Sequence, residues 1–430
     1  IIIATGVEIG DSTLVDKCFV GQGCIFDKHY SACESLFFSN CQGMHGEACA
    51  IFAGPYTVTH HKSTLLIAGM FSFLNAGSGS NQSNHMYKLG PIHQGVAERG
   101  AKTTSDSYLL WPSKIGAFSL VMGRHTNHAD TSELPFSYLI ENQSESYLVP
   151  GANLRTVGTI RDAQKWPKRD NRKDPDRLDF INFNLLSPYT VQKMWRGREI
   201  LKELQTLSGM NTEVYGYNNC KIRNSSLVHG DILYTIGITK FLGNSLISRI
   251  DKADIHSLDD LHKALRPDTE VGLGDWVDLA GLIAPRIEVT RLMDDIEKGG
   301  MSYIQIQDRF RQMHENYYIY EWTWAADKLQ QIWGCSVEEV PLQAVIETIN
   351  DWQDAVVKLD RMVYDDAKKE FNLNSQTGFG VDGDRSQQVA DFESVRGSFE
   401  SNSFVQEVLK HIERKTALGN KIREKLQAIQ

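Results

Sequence analysis

The first third of the chain carries apolar residues in steps of about six: Ile9, Val15, Val20, Phe26, Ala32, Phe38 and Met44. Glycine follows the aliphatic residue in "IGDSTL" (9–14), "VGQGCI" (20–25) and "IGAFSL" (115–120). One inward aliphatic in every hexad, followed by Gly and a small residue, is the pattern of a solenoid built from short strands and tight turns. Each coil buries its apolar column against the next. Turn positions favour Gly, Asn or Asp because φ is positive or the backbone is crowded there. Some hexads are degenerate: residues 15–19 form a five, and Phe19 and Tyr30 stand where small residues are usual. The expected fold is a β-solenoid, a left-handed parallel β-helix of hexapeptide repeats, over residues 1–155. The chain begins in mid-pattern at Ile1, so the solenoid is expected to be truncated at its N-terminus.

The period then changes. Residues 155–177 hold eight Lys/Arg against four Asp, including "KWPKRDNRKDP" (165–175). This segment reads as part of a solvated basic linker or extension, 156–186, with packing on the solenoid or binding of an anion as alternatives. Residues 187–430 read as a mainly α-helical domain. Ser187 and Pro188 open a helix that closes at Gly209. Amphipathic periodicity predicts further helices over 288–300, 303–334, 341–371 and 403–429. A short β-excursion is expected at 217–237 and a loop at 372–387. The Trp and Tyr cluster at 317–333 has helical spacing and reads as core or a helix–helix interface.

Composition narrows the classes. The chain of 430 residues is 41% hydrophobic and 23% charged, with a net charge of −9. That charge argues against a nucleic-acid binder. No apolar run approaches the roughly 18 residues a bilayer span needs, and no secretory leader is evident. Five of the seven Cys fall at 18, 24, 33, 41 and 49, with no Cys-x-x-Cys pair. Reduced, buried thiols in a cytoplasmic protein are expected.

Eight of the 13 His fall in the first third of the chain: His29, His45, His60, His61, His85, His93, His125 and His128. Neutral His is the usual general base near neutral pH. "RHTNH" (124–128), with His60, His61, His85 and His93, leaves a metal site as a lesser alternative, although no metal is expected. The stretch "NAGSGSNQSNH" (75–85) follows His61 at set intervals, the first from His61 to Asn75 and the second from Asn75 to Asn84.

These intervals resemble the acetyltransferase domain of the bifunctional glucosamine-1-phosphate acetyltransferase/N-acetylglucosamine-1-phosphate uridylyltransferase. The resemblance is local and runs from His61 to Lys88. It implies His61 as general base and Asn75 as its catalytic companion. Asn84 would hold substrate, and Gly77 and Gly79 would let the backbone approach acetyl-CoA. His60, His85 and Lys88 would complete the substrate site. The chain departs from that family at Thr64 and His85, where the family has Tyr, and no Lys or Arg lies between Lys28 and Lys62 to clamp a phosphate. Arg99, Lys102 or Arg124 would take that role. Over its length, "AIFAGPYTVTHHKSTLLIAGMFSFLNAGSGSNQSNHMYKLGPIHQG" (50–95) and "GTIRDAQKWPKRD" (158–170) resemble an uncharacterised hexapeptide-transferase-like family of Bacteroidetes. The expectation is an acetyl-CoA-dependent acyltransferase acting on a sugar or sugar nucleotide. The resemblance supports a cytoplasmic location, and solenoid acyltransferases generally place their site between subunits, which implies a homotrimer; no nucleic-acid or membrane partner is expected. A non-catalytic binding or scaffolding solenoid is the alternative.

Overall fold

The computed structural model describes residues 1–83 and 94–429. The chain is a β-solenoid of about eight coils with three parallel sheets, followed by a helical C-terminal region. The coil strands are short, and each pairs with its counterpart one coil away. Phe19 lies opposite Leu36, and Leu36 opposite Phe52. The first of these coils is one residue short of three hexads, and the second is shorter by one more.

That coil length corrects the expected register. The inward positions of the first sheet are Val20, Phe37, Ala53, Phe71, Ala97 and Ile115, all buried. In the second sheet Phe26 pairs with Gly43 and Gly43 with Thr59. Phe38 and Met44 are therefore not core positions, because each shortened coil slips against a strict six-residue period. Ile9, on the first coil, remains 43% exposed. The departures from the repeat are compensating fillers: Tyr30 points inward and is buried. A Cβ on Gly43 would lie 2.4 Å from its ring. In the first sheet large and small inward residues alternate from Phe37 through Ala53 and Phe71 to Ala97, so that neighbouring coils fit together.

One coil is longer than the rest. Met70 pairs with Val96 and Asn81 with Tyr108, and the added chain falls at 84–93, outside the described residues. The solenoid ends in a hairpin, Tyr138–Asn142 with Glu145–Val149, that continues the second sheet. Cys220–Arg223 and Val214–Tyr217 extend it further.

Two compact units divide the chain. The first is residues 1–154, 162–238 and 267–325; the second is 155–161, 239–266 and 326–430. This partition differs from a simple division at 155 and 187. Residues 162–186 pack within the first unit by specific contacts, where composition predicts a solvated linker. Gln22 Nε2 donates to the Asp176 carbonyl and Thr5 Oγ1 donates to Asp174. The Ser39 amide donates to Asp179.

The helices are α1 (Val157–Lys165), α2 (Pro188–Ser208), α3 (Asn224–Lys252), α4 (Leu258–Leu265) and α5 (Arg286–Glu297). They continue as α6 (Tyr303–Glu315), α7 (Tyr317–Trp333), α8 (Leu342–Ala367), α9 (Arg385–Arg396) and α10 (Ser403–Gln427). Helix α2 is bounded as its sequence requires: Ser187 and Thr190 form a capping box, Pro188 opens the first turn, and Gly209 closes it at φ 88°. The single helix expected over 303–334 is two, because Asn316 caps the end of α6 and its carbonyl accepts the first bonds of α7. The β-excursion expected at 217–237 ends at Arg223, and α3 takes over at Asn224. Its glycines weaken the helical signal in the sequence. At Gly243 the missing side chain admits Trp352, whose ring atoms lie 2.5 Å from where a Cβ would stand. Within the second unit α8 packs on α10, and Val363, Val405 and Val408 share a core with Val157. Among the described residues no helix is long and apolar enough to cross a membrane.

Candidate functional site

The corners of the solenoid build the site. Asn40, Tyr56, Phe73, Gly100 and Phe118 occupy equivalent corners of successive coils, with φ of 60°, 57°, 50°, 71° and 55°. This left-handed region costs a non-glycine residue about 1 kcal/mol or more. Aromatic contact offsets it. The Tyr56 and Phe73 rings stack at 5.4 Å with 17° between planes, and Trp166 from the basic segment sits 4.7 Å from Phe73 and 6.1 Å from Phe118. Ile181 and Phe183 complete this cluster.

The basic segment is fastened beside that column. Asn40 accepts from the Asn171 amide at 2.8 Å and donates to Asp170 at 3.1 Å. Arg172 is buried and forms a two-pronged pair with Asp170, at 2.9 and 2.8 Å. Burial alone would raise the Asp170 pKa. The Arg172 guanidinium and amide, and the Asn40 side chain, outweigh it and hold the carboxylate at about 2.

Between this segment and the solenoid face lies a partly open cleft of about 130 Å3. Its walls include Gln42, His60, Asn75 and Lys102 from the coils, with Asp162, Lys165, Trp166 and Arg169 from the segment. Lys102 and Asp162 form an ion pair within it. Three cationic side chains against one carboxylate make the cavity suited to an anionic group, and Trp166 offers a ring face.

His60 carries the titratable chemistry. As a residue it is exposed, yet its imidazole lines the cavity. Nε2 lies 2.7 Å from Gln42 Oε1, so Nε2–H donates and Nδ1 bears the lone pair. Burial lowers its pKa below the ordinary imidazole value, and the charges of His61, Arg169 and Lys28 lower it further. A neutral imidazole with one nitrogen keyed and the other basic can accept a proton from a bound hydroxyl or amine.

The expected site residues are partly gathered here. His60, Asn75 and Lys102 line the cavity together. His61 is adjacent in sequence but lies on an exposed turn and is not among the lining residues. Gly77 sits where a Cβ would meet the Thr104 backbone at 2.3 Å, and its amide donates to Thr103 Oγ1. It serves coil stacking. Gly79 is a left-handed corner at φ 68°. Arg99 is fully buried. Its guanidinium pairs with Asp278 at 3.0 and 3.1 Å, donates to the carbonyls of Asn182 and Gly281, and covers the Phe73 ring at 4.5 Å. Those bonds place it behind the aromatic corner, turned away from solvent. Arg124 is exposed and lies 3.9 Å from Asp106. Asn84, His85 and Lys88 lie outside the described residues, as does His93. The histidines of "RHTNH" bond to Ser146, the Met122 carbonyl and the Leu110 carbonyl. Among the described residues no group of three or more His, Cys, Asp or Glu is placed to hold a metal.

Sequence reasoning missed Gln42, Tyr56, Asp162, Lys165, Trp166 and Arg169. The signal for the last four was present in "KWPKRDNRKDP" and the residues before it, where a Trp sits inside a basic run. A solvated linker has no use for that ring.

Residues 1–205 match a domain of unknown function (DUF4954), and residues 257–426 match a second domain of unknown function (DUF6819). Among curated proteins no relative matches. Among solved structures, an Arabidopsis UDP-N-acetylglucosamine acyltransferase is similar at 13% identity and a TM-score of 0.19, covering 48% of this chain and 88% of its own.

Proposed function

We propose that the chain is an acyltransferase that moves an acetyl group from acetyl-CoA to a sugar or sugar-nucleotide acceptor bound in the solenoid cavity. The observation that carries this reading is His60 on the cavity wall, held through Nε2 to Gln42 with Nδ1 left basic, its pKa lowered by the part of the ring the cavity covers. In the proposed reaction Nδ1 takes the proton of the acceptor hydroxyl or amine as it attacks the thioester carbonyl, and returns it to the CoA sulfur as the C–S bond breaks and free CoA leaves. The Asn75 amide, on the same cavity wall, donates to the oxygen on which charge develops. Lys165 and Arg169 hold the acceptor's anionic group, and the Trp166 face packs on its ring. His61, the base implied by family resemblance, is the competing assignment.

The test is release of free CoA from acetyl-CoA across a panel of sugar nucleotides and sugar phosphates. His60→Ala should lower kcat by about 10²–10⁴ with the fold intact. If instead His61→Ala abolishes turnover and His60→Ala does not, the base is His61. No CoA release with any acceptor would overturn the reading in favour of a binding solenoid.

A further inference from the structure

The clustering of cysteine in the first coils has a structural pattern. Cys33 and Cys49 end equivalent strands, Ser31–Cys33 and Glu47–Cys49, and stand directly opposite each other in the parallel ladder. Between Ser31 and Cys33 the chain turns Ala32 inward, and between Glu47 and Cys49 it turns Ala48 inward. Both thiols therefore stand on the outer face, and both residues are partly exposed. Cys24 and Cys41 are a contrasting pair: Cys24 Sγ donates to the Phe38 carbonyl, Cys41 Sγ to the Gly54 carbonyl, and both are buried. Neighbouring strands run about 4.8 Å apart, inside the Cα separation that a disulfide spans. The geometry is thus permissive for a bond at 33/49, and of the two pairs solvent reaches only this one.

We infer that Cys33 and Cys49 form a reversible inter-coil disulfide when the protein meets a peroxide. The Cys33 thiolate attacks a peroxide oxygen, giving a sulfenic acid and releasing hydroxide, which is protonated to water. The Cys49 thiol, whose pKa burial and the neighbouring Cys33 push up to about 11, gives its proton to the sulfenic oxygen as it displaces it, so that a second water leaves and the S–S bond forms. The two thiols lose two protons and two electrons in total, and hydrogen peroxide takes them up as it becomes two waters. A thiol reductant reverses the step. The bond closes residues 33–49 into a loop that contains Asn40 and Gln42, the two side chains that fasten the basic segment and key His60. Oxidation would fix the coil that carries them. Solvent-accessible disulfides are the readily reduced ones.

The experiment treats the full chain with hydrogen peroxide, alkylates the remaining thiols, and maps peptides without reduction. The expected result is a Cys33–Cys49 cross-linked peptide two hydrogen masses lighter than its parts, lost on treatment with dithiothreitol. Cys24 and Cys41 should remain alkylatable once the chain is unfolded. Cys33→Ser should abolish the cross-link and leave Cys49 free to alkylate or over-oxidise, and Cys49→Ser should do the reverse. Cys33 and Cys49 both alkylated after peroxide, or a cross-link to any other cysteine, would overturn the inference. So would sulfinic acid at both positions in the wild-type chain.

Discussion

At the scale of single residues, Asp170 decides whether the cavity has its outer wall. Its carboxylate accepts from Arg172 and from Asn40, so it joins the basic segment to a solenoid corner. The ordinary carboxylate value of 3.8 falls to about 2 in the fold. A depressed folded-state pKa means the ionised form is the one the fold favours. Its contribution is complete above the ordinary value and is lost as pH falls through about 2. The side chain is 22% exposed, so solvent screening reduces the shift to about 1–2 kcal/mol of stability. Asp170→Asn should lower the unfolding free energy by about that amount at pH 7. It should also speed proteolysis within 165–175. Urea titrations of both proteins should converge as pH falls from about 4 to about 2, and a gap that persists at the acid end would assign the effect to shape instead of charge. The cavity was only half legible in the sequence, and for a physical reason. His60, Asn75 and Lys102 lie in the repeat, where residue type points to chemistry. Asp162, Lys165, Trp166 and Arg169 reach the site through the way a charged segment docks, and composition alone reads such a segment as solvated.

At the scale of elements, the coil is specified less by its repeat than by what fills the departures from it. Gly43 occupies an inward position in the column between Phe26 and Thr59, and the Tyr30 ring takes the space its side chain would need. Gly43→Ala places a methyl group 2.4 Å from that ring. Tyr30 is fully buried between Phe26 and Phe37, with ring centroids at 5.2 and 6.4 Å, and so has nowhere to move. The substitution should cost about 1–3 kcal/mol by overpacking. The double variant Gly43→Ala/Tyr30→Leu should recover part of that loss relative to Tyr30→Leu alone, measured as a double-mutant cycle by chemical denaturation. Strict additivity would break the link between the two positions. The solenoid was readable because Gly and aliphatics recur. Its register was not, because a coil one residue short of three hexads, filled by one inward Tyr and one Gly, mimics a degenerate six-residue repeat. The same logic hid α3: the glycine that lowers its propensity at 243 is the one that lets Trp352 approach.

At the scale of the whole molecule, the outward positions of the first sheet ask for a partner. Ile2, Phe19, Leu36, Phe52, Met70 and Val96 pair in succession across six coils. Their side chains form an apolar ladder on the outer face, none of them fully buried, with Ile2 67% and Met70 45% exposed. The ladder stops at Lys114, the next position in register. Its steps recur at the strand spacing of about 4.8 Å, a pitch that another solenoid face matches along its whole length. Copies that each carry a net charge of −9 repel one another, so any association of copies would rest on apolar burial, with salt screening the repulsion within about 8 Å. We propose that this ladder joins the copies of the expected homotrimer. Phe19 looked like a misplaced residue in its hexad because the hexad describes the inside of the coil, and the ladder is written on the outside. Leu36→Asp/Met70→Asp adds two charges at ladder positions that are 44% and 45% exposed, so circular dichroism should be unchanged. Light scattering on a size-exclusion column should then fall from the mass of three chains to that of one. A wild-type mass of one chain, or a trimer that survives the double substitution, would leave the ladder to a different partner.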